Sequence, residues 1–476
     1  MICRIRILSV MLLMSGVIWA HQIKVPESVS SIQRAVDQAS EGDTVLVSPG
    51  HYVENIHISG KSIVLASHYI FDQNPESILQ TILDGSQPAH ADSGSVITIS
   101  DQSSARVLGF TLTEGTGAVW EDWELGHLYR EGGGVFVVDA NPVIEHNYIH
   151  HNVAIDTDGM MSAGGGGIAC EYAEAQISNN VIKYNQARYG AGVVVSYSDA
   201  AIYNNIIALN VGGQDFGGAG LWFYKVVNVN LINNTIVANQ AVHEGANLGY
   251  GAGTGGAFLI WSGYYTIMNN IIWDNTQTLG LFPVEMIVSA DAGFSYNNIQ
   301  DNYALDPKNR NISIDPQFAD STYMLASESP CIDAGHAGEI YQDPEGTGEV
   351  EYPSQGTRVN DLGAYGGPDR STLLGVPETT SHVASFPLLS DFVLYPNYPN
   401  PFNPVTEIPF EISKTSLVQL NVYDIRGRLV ATLIHGVLKS GTHCAVFSAS
   451  GLASGLYIAH LNVDGEIKQQ QMLLIQ

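Results

Sequence analysis

Five segments of the chain share one signature, a short apolar strand followed by two asparagines set five positions apart. They are "IEHNYIHHN" at 144–152, "ISNNVIKYN" at 177–185, "IYNNIIALN" at 202–210, "LINNTIVAN" at 231–239 and "IMNNIIWDN" at 267–275. The first members of the pairs are Asn147, Asn180, Asn205, Asn234 and Asn270, at intervals of 33, 25, 29 and 36 residues. A degenerate sixth copy, "YNNIQDN" at 296–302, follows 28 after the fifth. A glycine-rich motif keeps the same phase: "GGGVFVV" at 132, "GGGGIAC" at 164, "GAGVVVS" at 190, "GGAGLWF" at 217 and "GTGGAFL" at 253. Two motifs locked together at this period indicate a solenoid, in which unequal insertions fall on one side.

The strands decide which solenoid. Segments of three to six residues, rich in Val and Ile, alternate inward and outward. No run is long or amphipathic enough for repeat helices. A short strand that pairs with its equivalent one coil later lies parallel to it, so the chain is expected to form an all-β, right-handed parallel β-helix. In that setting the asparagines are predicted to be scaffold: an amide pointing inward bonds the next coil, and identical residues stack into a ladder. Asparagine also tolerates the left-handed conformation of a sharp corner.

The beginning and end of this region fit the same architecture. Ser30-x-x-Gln33 has the form of a capping box, followed by Ile32, Ala35, Val36 and Ala39 at helical spacing. Such a helix would cover the open edge of the first coil. The stretch "EGDTVLVSPGHYVENIHISGKSIVLAS" at 41–67 resembles the N-terminal start of bacterial β-helix proteins of the pectate-lyase-like superfamily. "DPQFADSTYMLASESPCIDAG" at 315–335 and "DLGAYGG" at 361–367 resemble the closing coil of the same group. The resemblance implies the fold over 21–370; the group spans lyases, hydrolases, esterases, epimerases and non-catalytic binders.

Residues 371–390 lack the repeat and are predicted to be a linker. Beyond it, Val418, Leu420 and Val422 alternate with polar residues, "DIRGR" makes a turn, and Asp464-Gly465 suits a hairpin. These short strands suggest a small immunoglobulin-like β-sandwich over 391–476. "YPNPFNP", "VYDIRGRLV" and "LASGLYI" resemble the C-terminal sorting domain of the type IX secretion system. That resemblance implies engagement of the type IX machinery, passage across the outer membrane, and cleavage of the tail with the passenger released or surface-attached. Residues 1–20, with Arg4 and Arg6 before the apolar run Ile7 to Trp19 and Ala20, have the form of a signal peptide. No later run approaches a membrane-spanning length, so no span is expected in the mature chain. The expected location is extracellular or on the outer cell surface.

Without Arg4 and Arg6 the chain has 17 basic residues against 47 acidic ones, a net charge of about −30. Only six of the acids and five of the bases lie in 391–476. Such a field repels nucleic acid and anionic membranes. Cys3, Cys170, Cys331 and Cys444 form neither a disulfide framework nor a metal knuckle, and Cys170 is expected to be a small buried residue.

Chemistry is therefore expected in the insertions, which leave each coil at one corner. They comprise 114–131, 153–163, 186–189, 211–216 and 241–253. They gather Glu121, Asp122, Glu124, Asp156, Asp158, Asp215 and Glu244 with Trp120, Trp123, Tyr129, Tyr189, Phe216, Tyr250, His127 and His243. If Leu221 and Phe223 face inward, Trp222, Tyr224 and Phe258 should face outward, and with Trp123 and Tyr189 they can stack on sugar rings. Two chemistries compete. A glycoside hydrolase needs one protonated and one ionised carboxyl, and Asp156, Asp158, Asp215 and Glu244, with His243 nearby, are the catalytic candidates. A polyuronate lyase needs a base beside a neutralised carboxylate, and Arg130, Lys183, Arg188 and Lys225 are the only Lys or Arg residues between 107 and 307. Asp156-x-Asp158-Gly could hold Ca²⁺ through hard oxygens, although the same pattern is ordinary turn chemistry. His150-His151 suits a surface pair. The expected function is binding, and degradation, of an extracellular polysaccharide. No complete catalytic signature of one β-helix enzyme family is found, so a non-catalytic carbohydrate-binding adhesin or surface-coat protein is the alternative.

Overall fold

Each repeat is too short to bury its own apolar side, so the coils bury theirs against one another. In the computed structural model the described residues are 21–155, 161–242, 253–277, 285–287, 291–300, 307–345, 353–369, 392–394, 397, 402–412, 414–424, 428–439, 441–464 and 466–474. The chain divides into two compact units, Met1–Val383 and Ala384–Gln476.

The first unit is a parallel β-helix with three main sheets of eight, nine and ten strands. Following one coil, Val135–Val138 lies on the first face, Val143–Glu145 on the second and Tyr148–His150 on the third. Each pairs in parallel with its equivalent one turn later: Val135 with Ile168, Ile144 with Ile177, and Ile149 with Ile182. The inward residues of all three faces form one continuous core, which also takes in Cys170, Phe223 and Phe258.

Glycine is required where each coil enters the first face. Gly132, Gly165, Gly190, Gly218 and Gly255 have φ of 62°, 60°, 51°, 67° and 69°, a region costly for residues with a Cβ. Two residues on, coils approach so closely that a Cβ on Gly192 would lie 2.3 Å from the Gly220 carbonyl oxygen.

The asparagine ladder is present and divides its labour. Asn147 Nδ2 donates to Asn180 Oδ1 (3.1 Å), and the chain of bonds continues through Asn205, Asn234, Asn270 and Asn297 to Asn311. The second members form a parallel ladder from Asn152 through Asn185, Asn210 and Asn239 to Asn275. The ladder residues are not the left-handed ones, contrary to the expectation that one asparagine does both jobs. The residue before each takes that conformation: His146, Asn179, Asn204, Asn233, Asn269 and Tyr296, at φ between 53° and 58°. This also corrects the sixth copy, whose ladder residue is Asn297, 27 positions after Asn270.

The N-terminal helix, α1 (Ile32–Gln38), buries Ile32, Ala35 and Val36 in the core as the spacing requires. Its cap is Ser31, one residue later than the capping box implied. Gln33 does not close the box; instead Glu54 accepts from the Ile32 and Gln33 amides at 3.1 Å each. Lys61 Nζ holds the other end through the carbonyls of Val36 (3.0 Å) and Ala39 (3.1 Å).

At the far end, residues 307–369 do more than close the last coil. Asn311 and Ile312 extend it, and the chain then returns over the outside of the third face. There Ala364 and Tyr365 pack on Ile206, Ala208 and Val237. Outward-facing Asn204 donates to the carbonyls of Ala364 (3.1 Å) and Gly366 (2.7 Å), and Asn233 to that of Asp361 (3.0 Å).

The second unit has two antiparallel sheets. One contains Phe392–Leu394, Val405–Ile412 and Gly441–Ser448, the other Ser416–Asp424, Leu429–Leu438, Gly455–Val463 and Glu466–Leu474. Val418, Leu420 and Val422 share one core with residues of the first sheet. Val463 pairs with Glu466, and Gly465 of the expected hairpin turn lies outside the described residues.

Candidate functional site

The insertions do build one side of the solenoid. The longest forms an antiparallel hairpin in which Trp120 lies opposite Tyr129 and Ala118 opposite Glu131. Its second strand pairs in parallel with Ser162–Gly164, and single bridges continue from Gly164 through Tyr189 to Gly217. This small sheet stands beside the outward side of the first face, where Phe136, Ala169, Val194, Trp222 and Leu259 occupy equivalent positions on successive coils. The two surfaces pack into a satellite apolar cluster.

Between them lies a cavity of about 320 Å³, walled by Trp120, Tyr129, Tyr197, Trp222, Tyr224 and Trp261, with Asp122 and Glu171 also on its lining. The volume is in the range of a small-ligand site. Three of the polar atoms on this lining are buried without a protein partner: Trp120 Nε1, Trp222 Nε1 and Glu171 Oε2. A buried polar group costs free energy until something bonds it. The set of two donors and one carboxyl oxygen matches the alternating donors and acceptors of a polyhydroxylated ligand.

The carboxyl groups differ in environment. Asp122 is held at the hairpin tip, where Oδ1 accepts from the amides of Glu124 (2.7 Å) and Leu125 (3.0 Å) and Oδ2 from the Tyr197 hydroxyl (3.2 Å). Glu171 is 2 % exposed. Burial, then the nearby Glu131 charge, raises it well above the ordinary carboxylate range. Glu131 is fully buried; burial pushes it up to about 8, against the opposing hydrogen bond from the Tyr189 hydroxyl. That pair requires Gly164, since a Cβ there would sit 2.5 Å from the Tyr189 ring and 2.8 Å from Glu131 Oε2. Burial and these acids push Tyr129 up to about 12, so its phenol remains a donor. The arrangement sets two carboxyl groups in unlike surroundings on one lining, Glu171 buried and raised, Asp122 held by two amides and a hydroxyl.

The rim carries a second aromatic set. Trp123, 62 % exposed, stacks on Tyr172 at 4.6 Å, and Tyr172 lies parallel to Tyr197 at 4.7 Å. The spacing is that of successive strands, so equivalent positions on neighbouring coils stack ring on ring. Lys225 completes the column over Tyr197, 5.1 Å from the ring centroid, and donates to Glu124 at 2.6 Å.

Several expected site residues fall elsewhere. Asp215 does not line the cavity; its carboxylate is bound by Arg188 and by Ser162 Oγ (2.5 Å), tying three insertions together. Phe258 faces the interior, because it pairs with inward Leu221; Leu259 and Trp261 take the outward positions. A one-residue slip of phase exchanges the two faces of a strand. Trp222 and Tyr189 do point outward, but they are covered: 8 % and 3 % exposed, they pack on each other with ring centroids 4.7 Å apart. The insertions thus turn the expected open aromatic row into a walled cavity, on which Tyr224 remains partly exposed. Asp156, Asp158, His243 and Glu244 lie outside the described residues. Among the described residues no cluster of acidic, histidine or cysteine side chains could hold a metal ion. His150 and His151 contact one another on the third face, with Nδ1 atoms 2.6 Å apart.

Glu131, Glu171, Tyr172 and Tyr197 were not singled out from sequence. The available signal was positional: Glu171 falls in register with Val138, Ser196 and Tyr224, the second outward column of the first face. An acid there, flanked by apolar residues, must be buried as soon as a hairpin covers it.

The right handed beta helix region description matches residues 52–243 and 166–318, and the secretion system C-terminal sorting domain description matches 397–476. No curated protein matches the chain.

Proposed function

We propose, for a chain that belongs to the right-handed β-helix family and ends in a type IX sorting domain, that it is delivered outside the cell to bind and hydrolyse a glycan. The sorting domain accounts for export to the surface or the extracellular space. The glycan reading is carried by the cavity, where unpartnered indole N–H groups and a buried carboxyl share a lining with aromatic walls. Aromatic edges and faces suit the C–H surfaces of a sugar, and the free polar atoms suit its hydroxyls. Glu171 would donate a proton to the leaving oxygen, and Asp122 would act as the second carboxyl group. A lyase is less well supported, because Lys225 and Arg188, cations carried by the rim and the insertions, are each bound to a carboxylate.

The test uses the full chain against a broad glycan panel, with binding followed calorimetrically and cleavage by reducing ends. The wild type should bind and cleave at least one member. Glu171→Gln should bind it comparably and cleave about 10²–10⁴-fold more slowly, the usual contribution of a general acid. Binding without product by the wild type would favour the non-catalytic adhesin. An absence of both would overturn the reading.

A further inference from the structure

We propose that the cavity is selective for neutral glycans and rejects chains bearing uronates, a substrate class that rests on the glycan reading above. Three observations carry it, and all concern where charge can be neutralised.

The first is that cations near the site are engaged. Lys225 Nζ is 2.6 Å from Glu124 Oε1, and Arg188 is paired with Asp215. The buried Arg130 guanidinium donates to the carbonyls of Ala91 (2.7 Å) and Gly117 (2.9 Å) and has Asp92 at 3.8 Å. Lys183, the remaining Lys or Arg between 107 and 307, lies on the third face with its ammonium over the Tyr323 ring.

The second is the sign of the lining. Asp122 faces the cavity, Glu124 stands at the rim, and no Lys or Arg is among the described lining residues. A bound carboxylate would meet like charge in a partly desolvated site, where screening by water and salt is weakest. The whole chain, at a net charge of −28, also repels an approaching polyanion.

The third is what the unpartnered atoms ask for. Trp120 Nε1 and Trp222 Nε1 can each donate one bond, and Glu171 Oε2 can exchange one with a hydroxyl. Neutral hydroxyls satisfy all three without bringing a charge to be compensated. A uronate would satisfy the indoles at the expense of its repulsion from Asp122.

The experiment measures full-chain affinity on an array of neutral hexose and pentose polymers beside their C6-oxidised uronate counterparts where these exist. A neutral member should bind at least tenfold more tightly than its oxidised partner, and the gap should narrow as NaCl rises from 20 to 500 mM. Glu124→Gln, which removes the carboxylate from Lys225, should narrow the gap at low salt about threefold or more. If oxidised members bind as tightly as neutral ones, or the gap ignores both salt and Glu124→Gln, the substrate class is overturned while the glycan reading stands. If no member of either series binds, both fall together.

Discussion

In four of the repeats two adjacent asparagines do different work, and their substitutions should separate accordingly. Asn205 accepts from the Asn180 amide (2.9 Å) and donates to the carbonyls of Ile177 (2.8 Å) and Tyr203 (3.0 Å), all inside the solenoid. Asn205→Ala removes the side-chain acceptor of the buried Asn180 amide and one donor from each of the two carbonyls, and should cost about 3 kcal/mol or more. Asn204→Gly keeps the left-handed corner and loses only the two bonds to the returning segment, about 1–2 kcal/mol. Chemical denaturation of both variants checks the order, and equal losses would contradict the division of labour. The buried acids make a second prediction. Folded Glu131 holds its proton to about pH 8, whereas in the unfolded chain it would release it near an ordinary glutamate value of 4.5. The folded state then binds more protons through that window, so stability is full below it and falls as pH rises through it. Thermal melts should move down by several degrees between pH 5 and pH 9, and Glu131→Gln should flatten the slope.

At the scale of elements, the capping helix shows how a distant residue can replace a local motif. Glu54 offers both carboxylate oxygens to the first amides of α1, which a helix start leaves without partners. Glu54→Ala should therefore destabilise the first coil by about 1–2 kcal/mol, seen as faster amide exchange at Ile32 and Gln33. Sequence could not identify Glu54 in this role, because the contact joins residues 22 apart and depends on how the second coil turns. The solenoid itself was legible for the opposite reason. Asn147, Asn180, Asn205, Asn234 and Asn270 mark the same corner in every coil, and each marks its neighbours in space. The side on which the insertions gather followed from that phase, and Trp120, Asp122, Tyr129 and Trp222 line one cavity there. The chemistry within it did not follow. Asp215 is one of the insertion acids, yet Arg188 neutralises it. Glu171 sits in a strand of apolar residues, and its character depends on a hairpin from another coil burying it. Phe258 was misplaced by a single step, since the number of glycines ahead of each strand varies and blurs which residue begins it.

For the molecule as a whole, each unit has its own core among the described residues, one cluster inside the solenoid and one inside the C-terminal sandwich. A solenoid is held by contacts between neighbouring coils, so its stability is a sum along its own length. The family match of residues 397–476 assigns the second unit a different task, recognition by the type IX machinery. The two tasks should then be separable by truncation at the boundary after Val383. Residues 21–383, produced without the sandwich, should keep the β-rich circular dichroism of the solenoid and melt within about 2 °C of its transition in the full chain. This follows from domains that carry their own cores. In a bacterium equipped with the type IX system, the same truncation carrying a signal peptide should accumulate in the periplasm while the full chain reaches the surface or medium. Conversely, residues 391–476 fused behind an unrelated folded reporter should export it. Surface protease accessibility and fractionation read both arms. Secretion of the truncated chain at the full-length level would show that the solenoid carries its own export signal. Retention with a lost melting transition would show instead that the sandwich supports the fold. The expected result, a folded but stranded solenoid, would leave the cavity beside the first face intact for direct binding measurements and confine the sorting domain to transport.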